Sequence, residues 1–306
     1  MRGTNFPRCF AFVMVFLLIA ASCSAAESVA VQVVPFRYED AREFSDGVAA
    51  VKLKGKWGYI DASGRVAIPL SFDVAEAGCF SEGLALVGNV FIDAEGQPAF
   101  GDKRFERGRG FSEGVAAVQS KGKWGFIGHD GNFSILPVYD GAGDFSGGLA
   151  PVKRDGLWGY VDLDGRLLIT PRFAMAWEFG AGSGAGKDLA PVEFDGKVGY
   201  MDRSGRFAIA PVYDFGGRFH NSLAVIREAN GWSYIGPDGL PAVAKRFHAA
   251  GRFSEGLAPV ATDARWGYID VRGALVVLPL YDEARPFSEG LAAVSRDGKW
   301  GYIKAR

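Results

Sequence analysis

Cysteine is scarce in this chain of 306 residues, which holds only three. Cys9 and Cys23 lie near the N-terminus, so only Cys79 remains in the body of the chain, and we expect no intrachain disulfide there. A surplus of basic residues is also missing, since the formal net charge is −1. A general nucleic-acid binder is therefore excluded, because such proteins neutralise phosphates with excess positive charge.

Long apolar runs are missing everywhere except near the N-terminus. There, Arg2 and Arg8 precede an uncharged apolar run over residues 10–21, and small residues follow it. The run is shorter than the ~20 residues of a membrane-spanning helix, and the whole segment has the form of a secretory signal peptide. We predict a signal peptide over residues 1–26, cleavage before Glu27, and no transmembrane span in the remainder.

A second processing route stays open. Residues 19–23 resemble a lipobox, in which Cys23 becomes the site of a lipid anchor. Both routes predict an exported protein, periplasmic or at the cell surface, with one folded domain over residues 27–306.

Glycine is abundant, with 43 residues, and indicates many turns. Self-comparison shows an internal repeat. A similar phrase, FSEGLAAV at residues 287–294, opens each copy with a phenylalanine. Four of the seven intervals between these residues are 34 residues long, and the positions are Phe44, Phe80, Phe111, Phe145, Phe179, Phe219, Phe253 and Phe287.

Two further phrases follow in fixed order. One is KWGYI, as at residues 299–303, and the other is LPLYD, as at residues 278–282. Some copies depart from the KWGYI phrase. Val198 replaces its tryptophan, Ser233 replaces its glycine, and the copy that starts at Phe80 lacks the phrase and is three residues short.

These phrases resemble the WG-repeat family of bacterial proteins, also called KWG repeats. The resemblance covers about residues 36 to 303. It implies an all-β repeat fold and implies little about biochemical activity.

Each phrase is also typical of a short strand. In the last copy, Trp300 and Tyr302 would share one face of a strand. Gly301 beside the tryptophan would let a neighbouring backbone approach closely. Aspartate–glycine pairs such as Asp155-Gly156 favour tight hairpin turns between strands.

The array starts out of phase, and this suggests how it is completed. Residues 36–41 match the end of a unit, while the chain stops after the second strand of the last unit. The two fragments add to one unit, so we predict a closed eight-unit β-propeller whose N-terminal strand completes the last blade. An open β-repeat array is the alternative.

The candidates for chemistry are few. His129, His220 and His248 occupy unrelated positions and predict no metal site. The acids of the repeated opening phrase are equivalent positions, which suits solvated turns better than paired catalytic carboxylates. They are Glu82, Glu113, Glu255 and Glu289.

Two other segments invite a ligand hypothesis. The fragment Asp162–Gly165 lacks the ligand count of a calcium loop and suits a turn. The glycine-rich segment 179–186 lacks the flanking strand and helix of a dinucleotide site, so we interpret it as an inserted surface loop. We predict no catalytic residue, no cofactor and no metal.

The repeated tryptophans have two interpretations, core packing between units or aromatic platforms for a ligand. Packing is the simpler one, because they recur at one strand position; they are Trp57, Trp124, Trp158, Trp266 and Trp300. We therefore expect a non-enzymatic exported binding scaffold of the cell envelope, with a protein or glycan as ligand. The alternative is an envelope glycan hydrolase, or another periplasmic enzyme, with its site in the degenerate repeats.

Overall fold

A computed structural model describes residues 30–181 and 184–305. Within these ranges the elements of regular secondary structure are all β-strands, which confirms the all-β prediction. The same residues include no helix long and apolar enough to cross a membrane. The predicted signal peptide at residues 1–26, the cleavage site at Glu27 and the alternative anchor at Cys23 lie outside the described residues.

The strands are short and follow one another through tight turns. The first half of the chain forms β1 (Val31–Tyr38), β2 (Asp40–Ala41), β3 (Val48–Leu53), β4 (Lys56–Asp61), β5 (Val66–Phe72), β6 (Ala85–Val87), β7 (Val90–Ile92), β8 (Arg107–Ser112), β9 (Val115–Ser120), β10 (Lys123–Gly128), β11 (Phe133–Tyr139), β12 (Gly141–Ala142), β13 (Leu149–Arg154), β14 (Leu157–Asp162) and β15 (Leu167–Phe173). The second half forms β16 (Met175–Ala176), β17 (Ala190–Phe194), β18 (Lys197–Met201), β19 (Phe207–Tyr213), β20 (Phe215–Gly216), β21 (Ala224–Glu228), β22 (Gly231–Ile235), β23 (Ala249–Ala250), β24 (Leu257–Ala261), β25 (Trp266–Asp270), β26 (Leu275–Tyr281), β27 (Glu283–Ala284), β28 (Ala292–Arg296) and β29 (Lys299–Lys304).

Consecutive strands pair antiparallel into the blades of a β-propeller. A typical blade has the order β2-β3-β4-β5, from the inner strand outward. The last blade has the order β27-β28-β29-β1, so the N-terminal strand supplies its outer strand. Val34 lies opposite Tyr302, and Tyr38 lies opposite Trp300. The ring is therefore closed in the predicted way, and the open array does not form.

The predicted count of eight equivalent units needs correction. Six sheets have four strands and one, β20-β21-β22, has three, which makes seven blades. The unit that opens at Phe80 contributes only the two-stranded sheet β6-β7. This unit is the one that lacks the Trp-Gly phrase in the sequence.

The glycine of that phrase explains why some blades have a fourth strand. At Gly58, an added Cβ would lie 2.7 Å from the carbonyl oxygen of Ile68 and 2.7 Å from the backbone of Leu70. The outer strand crosses at this point, and its pairing register shifts between Trp57 and Tyr59. A side chain here would exclude the outer strand, as expected for a close backbone approach.

Both units that lose this glycine also lose the regular outer strand. Val90 occupies the equivalent position in the second unit, and Ser233 occupies it in the sixth. Ser233 is buried, and its hydroxyl donates to the carbonyl oxygen of Val243 at 3.1 Å. The fifth unit keeps Gly199 although Val198 replaces the tryptophan, and its sheet has four strands. The glycine therefore matters more than the tryptophan for a complete blade.

The hydrophobic core is divided among the interfaces between neighbouring units. Trp57 and Tyr59 of the first unit pack with Phe80 of the second, and Trp300 and Tyr302 pack against the first unit in the same way. The tryptophan and the tyrosine of each phrase lie on the same face of their strand, as predicted. Trp57 and Trp300 are buried, whereas the remaining repeat tryptophans are half-buried; these are Trp124, Trp158 and Trp266.

Candidate ligand-binding cavity at the axis of the ring

One position of the repeat, close to the inner strand, supplies residues that meet across the ring. This position directly precedes the repeat phenylalanine and holds Glu43, Cys79, Gly110, Asp144, Glu178, Arg218, Arg252 and Pro286. A cavity of about 1330 Å³ has Arg42, Cys79, Arg109, Asp144 and Arg218 in its wall. Most of the wall belongs to the second and third units, and these five residues, which come from five different units, form the end of the cavity at the axis.

One side of the axis holds a salt bridge that skips a unit. Arg252 of the seventh unit contacts both carboxylate oxygens of Glu43 in the first unit, with Nη1 at 3.1 Å from Oε1. Arg285 of the intervening unit lies 3.1 Å from Asp40. Burial raises the pKa of Glu43, and the charges of Arg252 and Arg285 oppose that rise.

The opposite side holds two carboxylates around one guanidinium. Arg109 lies 3.3 Å from Asp144 and 3.7 Å from Glu178. The backbone N–H of Asp144 donates to Glu178 at 3.1 Å. Burial raises the pKa of Asp144, and although Arg109 opposes the rise, the direction stays upward. The Oδ1 atom of Asp144 is buried and accepts no hydrogen bond from the described residues.

Arg218 differs from the other axial arginines because it forms no ion pair with a carboxylate of the described residues. Its Nε donates instead to Nε2 of His220 at 3.1 Å. Burial, together with the charges of Arg218 and Arg252, lowers the pKa of His220 to about 3. His220 is therefore neutral near pH 7, and the remaining N–H donors of Arg218 are free for a ligand.

Cys79 also lies in the wall of the cavity, with its Sγ 3.6 Å from the carbonyl oxygen of Glu43. Burial raises the pKa of its thiol, the charge of Glu43 raises it further, and three arginines oppose the rise. Because the thiolate is the nucleophilic form, this environment does not activate Cys79.

The repeated acids lie in the hairpin turns and not at the axis. Glu82, Glu113, Glu255 and Glu289 all have φ between 53° and 56°, each followed by a glycine with positive φ. These are the torsions of a type I′ turn. Each carboxylate accepts an N–H from the turn of the next unit, and Glu289 reaches Gly47 at 3.1 Å. Their role is to connect adjacent turns around the ring.

The other sequence candidates also lie apart from the cavity centre. Asp162 accepts the backbone N–H groups of Asp164 and Arg166 through one oxygen, at 3.1 and 2.8 Å, and so closes its own turn. His129 lies 2.9 Å from Glu82, whereas His248 is exposed. Among residues 30–181 and 184–305, no group of histidine, cysteine and acidic side chains has the geometry of a metal site.

The glycine-rich insertion joins two units at their turns. The N–H of Ala181 donates to the carbonyl oxygen of Phe219 at 2.9 Å, and Gly180 donates to Leu189 at 3.0 Å. Residues 182–183 of this segment lie outside the described ranges. In neighbouring units a serine hydroxyl makes the equivalent contact, as Ser146 does with Phe179 at 3.1 Å.

The axial charges are the feature that sequence reasoning missed. The signal lies one residue before each repeat phenylalanine, where units differ most: the same position holds Glu43, Asp144, Glu178, Arg218 or Arg252. A position that carries either charge inside an otherwise regular repeat marks a surface not required for packing. The sequence alone did not tell which of these charges face one another.

The family model for the WG containing repeat matches this sequence in eight consecutive segments. They are residues 32–57, 57–89, 91–124, 124–158, 158–197, 199–232, 232–264 and 266–300. No curated protein matches the chain.

Several solved structures are similar in shape, at low sequence identity. PorZ, a surface component of the type-IX secretion system of Porphyromonas gingivalis, is 10% identical with a TM-score of 0.42, over 90% of this chain and 46% of PorZ. BamB from Moraxella catarrhalis is 12% identical with a TM-score of 0.44, over 86% of this chain and 82% of BamB. The extracellular domain of the putative one component system BT4673 from B. thetaiotaomicron is 10% identical with a TM-score of 0.46, over 89% of this chain and 41% of that domain. The chain thus spans less than half the length of PorZ and of the BT4673 domain.

Proposed function

This chain belongs to the WG containing repeat family, and on that premise we propose that it is a non-enzymatic, exported binding scaffold of the cell envelope. The ligand is a protein or a glycan. The observation that carries the proposal is the axial cavity of about 1330 Å³, in which Arg218 and Asp144 keep hydrogen-bonding groups unused by the described residues. Buried polar groups normally have partners, and a bound ligand would supply them here.

The ring is well suited to hold such a site rigidly. Neighbouring blades share apolar clusters, and many of them also contact each other through a tyrosine hydroxyl or a glutamate carboxylate. The inner strands therefore have little freedom to move, and a ligand at the axis would lose little free energy to ordering the protein.

The test is capture from an envelope extract by the immobilised chain of residues 27–306. Wild-type protein should retain a component that the double variant Arg218→Ala, Asp144→Asn does not retain. A matched control is Arg166→Ala, because Arg166 is exposed and pairs with Asp164 in an outer turn. Equal retention by wild type and the double variant, or no retention at all, would contradict a binding role for the axis.

Export is the second part of the proposal, and it rests on the signal-peptide pattern of residues 1–26. Intact-mass measurement of the exported protein should give a chain that begins at Glu27. A mass that corresponds to an N-terminal lipid-modified Cys23 would instead establish the lipoprotein route. Full-length protein retained in the cytoplasm would contradict export.

One observation favours the enzymatic alternative. Asp144 and Glu178 share Arg109, and the raised pKa of Asp144 is the property that a general acid needs. These carboxylates belong to the fourth and fifth units and not to the degenerate repeats. A screen of glycan hydrolysis decides between the two functions, because turnover that Asp144→Asn abolishes would replace the scaffold proposal with a hydrolase.

A further inference from the structure

The axial cavity is richer in positive than in negative groups that a ligand can reach. Its wall includes four arginines and three acids, namely Arg42, Arg107, Arg109, Arg218, Glu76, Glu106 and Asp144. Arg109 is already neutralised by Asp144 and Glu178. Arg218 forms no ion pair with the described residues and donates a hydrogen bond to a neutral histidine, although its charge also acts to lower the pKa of Asp144. Arg107, Glu76 and Glu106 also form no ion pair with the described residues, but they are exposed, so Arg218 carries the unpaired positive charge of the half-buried part of the wall.

The chemistry of Arg218 selects the group that it would bind. A guanidinium presents its N–H donors in a planar fork, which matches a carboxylate in two parallel hydrogen bonds. Only Nε is used by His220. The other N–H donors of Arg218 are free. A carboxylate would accept hydrogen bonds from them and would also neutralise the charge of the guanidinium.

Asp144 selects a second, different group. Its side chain is about one third exposed and its Oδ2 contacts Arg109, while Oδ1 accepts nothing from the described residues. An acceptor in this position requires a donor such as a hydroxyl group. A simple inorganic anion would satisfy Arg218 and leave Asp144 without a partner, whereas a neutral sugar would do the reverse.

The same wall contains an aromatic surface. Trp124 lines the cavity and is only half-buried, whereas Phe80 and Phe111, which also line it, are almost completely buried. Such a surface suits the apolar face of a sugar ring, since binding pockets combine apolar walls with a few polar groups. The volume of about 1330 Å³ exceeds the range of about 300–1,000 Å³ typical of sites for one small molecule.

We propose that the axial cavity binds an acidic oligosaccharide, whose carboxylate pairs with Arg218 while a hydroxyl donates to Asp144 and a sugar ring lies on Trp124. This inference rests on the proposed binding function and names its ligand class.

The probe is trigalacturonic acid, titrated by calorimetry into the chain of residues 27–306, with maltotriose as the neutral match and phosphate as the inorganic anion. Trigalacturonic acid should bind more tightly than either by about tenfold or more, since a charge-assisted pair contributes about 1.5–3 kcal/mol. Arg218→Ala should remove this preference, and Arg218→Lys should retain part of it. The control Arg166→Ala should behave as wild type.

Asp144→Asn and Trp124→Leu test the other two contacts, and each variant should bind trigalacturonic acid several-fold more weakly than wild type. Each variant is first compared with wild type by thermal unfolding, and the wild-type comparison of the three probes needs no variant at all. No binding of trigalacturonic acid by folded wild type, or equal affinity for maltotriose, would overturn the inference. If the extract capture still depended on Arg218, the scaffold proposal would survive that result with a different ligand.

Discussion

The phenol of Tyr302 donates a hydrogen bond at 2.8 Å to the carbonyl oxygen of Arg42, a residue 260 positions earlier in the chain. Most neighbouring units make the same contact across 17 to 19 residues, and the pairs are Tyr59–Gly78, Tyr160–Trp177, Tyr200–Gly217, Tyr234–Gly251 and Tyr268–Arg285. The junction of the chain ends is thus chemically equivalent to the other interfaces. Burial raises the pKa of Tyr302, so its hydroxyl keeps the proton that it donates.

Tyr302→Phe should lower the free energy of unfolding by about 1 kcal/mol, because the variant keeps the ring and loses one buried hydrogen bond. Tyr160→Phe is the matched change at an internal interface and should have a similar effect. Urea denaturation of both variants measures the difference. A much larger loss for Tyr302→Phe would indicate that the closing interface is weaker than the others.

Deletion of residues 30–38 should destabilise the last blade selectively. The deletion removes β1 and leaves the edge of β29 unpaired. Hydrogen exchange should accelerate at residues 291–303, and the melting temperature should fall. Unchanged exchange in this segment would show that the blade is stable without its N-terminal strand.

Gly58→Ala should destabilise the first blade by about 1–3 kcal/mol, because the new methyl group overlaps the backbone of the outer strand. Gly110→Ala is the control, since its added Cβ would meet only Ser81, at an ordinary distance of 3.7 Å. Thermal unfolding of the two variants tests this explanation of the incomplete blades. Equal effects would contradict it.

Trp57→Ala should cost about 3–5 kcal/mol, since Trp57 is fully buried between two units and truncation leaves a cavity. Trp124→Ala should cost less, because Trp124 is half-buried and lines the axial cavity. The loss of stability for Trp57→Val should lie between those for Trp57→Ala and Trp124→Ala, because Val198 occupies the same position in another unit. Chemical denaturation gives the three values, and wild-type midpoints for Trp57→Ala would refute the packing role.

His220 should make the protein less stable as the pH falls. Its pKa is about 3 in the folded state, against an ordinary value of 6.5. Between these two pH values, His220 is therefore protonated in the unfolded chain and neutral in the folded chain. The stabilisation is complete above pH 6.5 and is lost progressively towards pH 3. His220→Asn should flatten this loss between pH 6.5 and 5, whereas His248→Asn, at an exposed site, should not. Denaturation at pH 7, 6 and 5 gives the slopes.

The repeat alone was enough to predict the strands, their turns and the closing role of the N-terminal segment. Periodic phenylalanines and glycines specify these features through local geometry, as Gly301 does where an added Cβ would lie 2.6 Å from the carbonyl oxygen of Val34. The blade count was less predictable. It depends on whether Val90 and Ser233 leave room for an outer strand, and this is a question of backbone separation.

The axial site could not be predicted, for a related reason. Periodicity places Glu43 and Arg252 at equivalent positions of their own units, but it does not place them opposite each other. That relation depends on the number of units and on the angle between blades. Similarly, the burial of Asp144 follows from the way the ring closes and not from any neighbour in the sequence.

Because β1 pairs with β29, the last blade can form only after the C-terminal strand is available. During synthesis or export from the N-terminus, Val34 is available long before Tyr302, its partner across the final sheet. The internal blades can assemble as they emerge, because each needs only its own unit and the next. The first strand must remain unpaired throughout, and a chaperone or translocation partner that covers Val31–Tyr38 would protect the nascent ring from pairing with another copy.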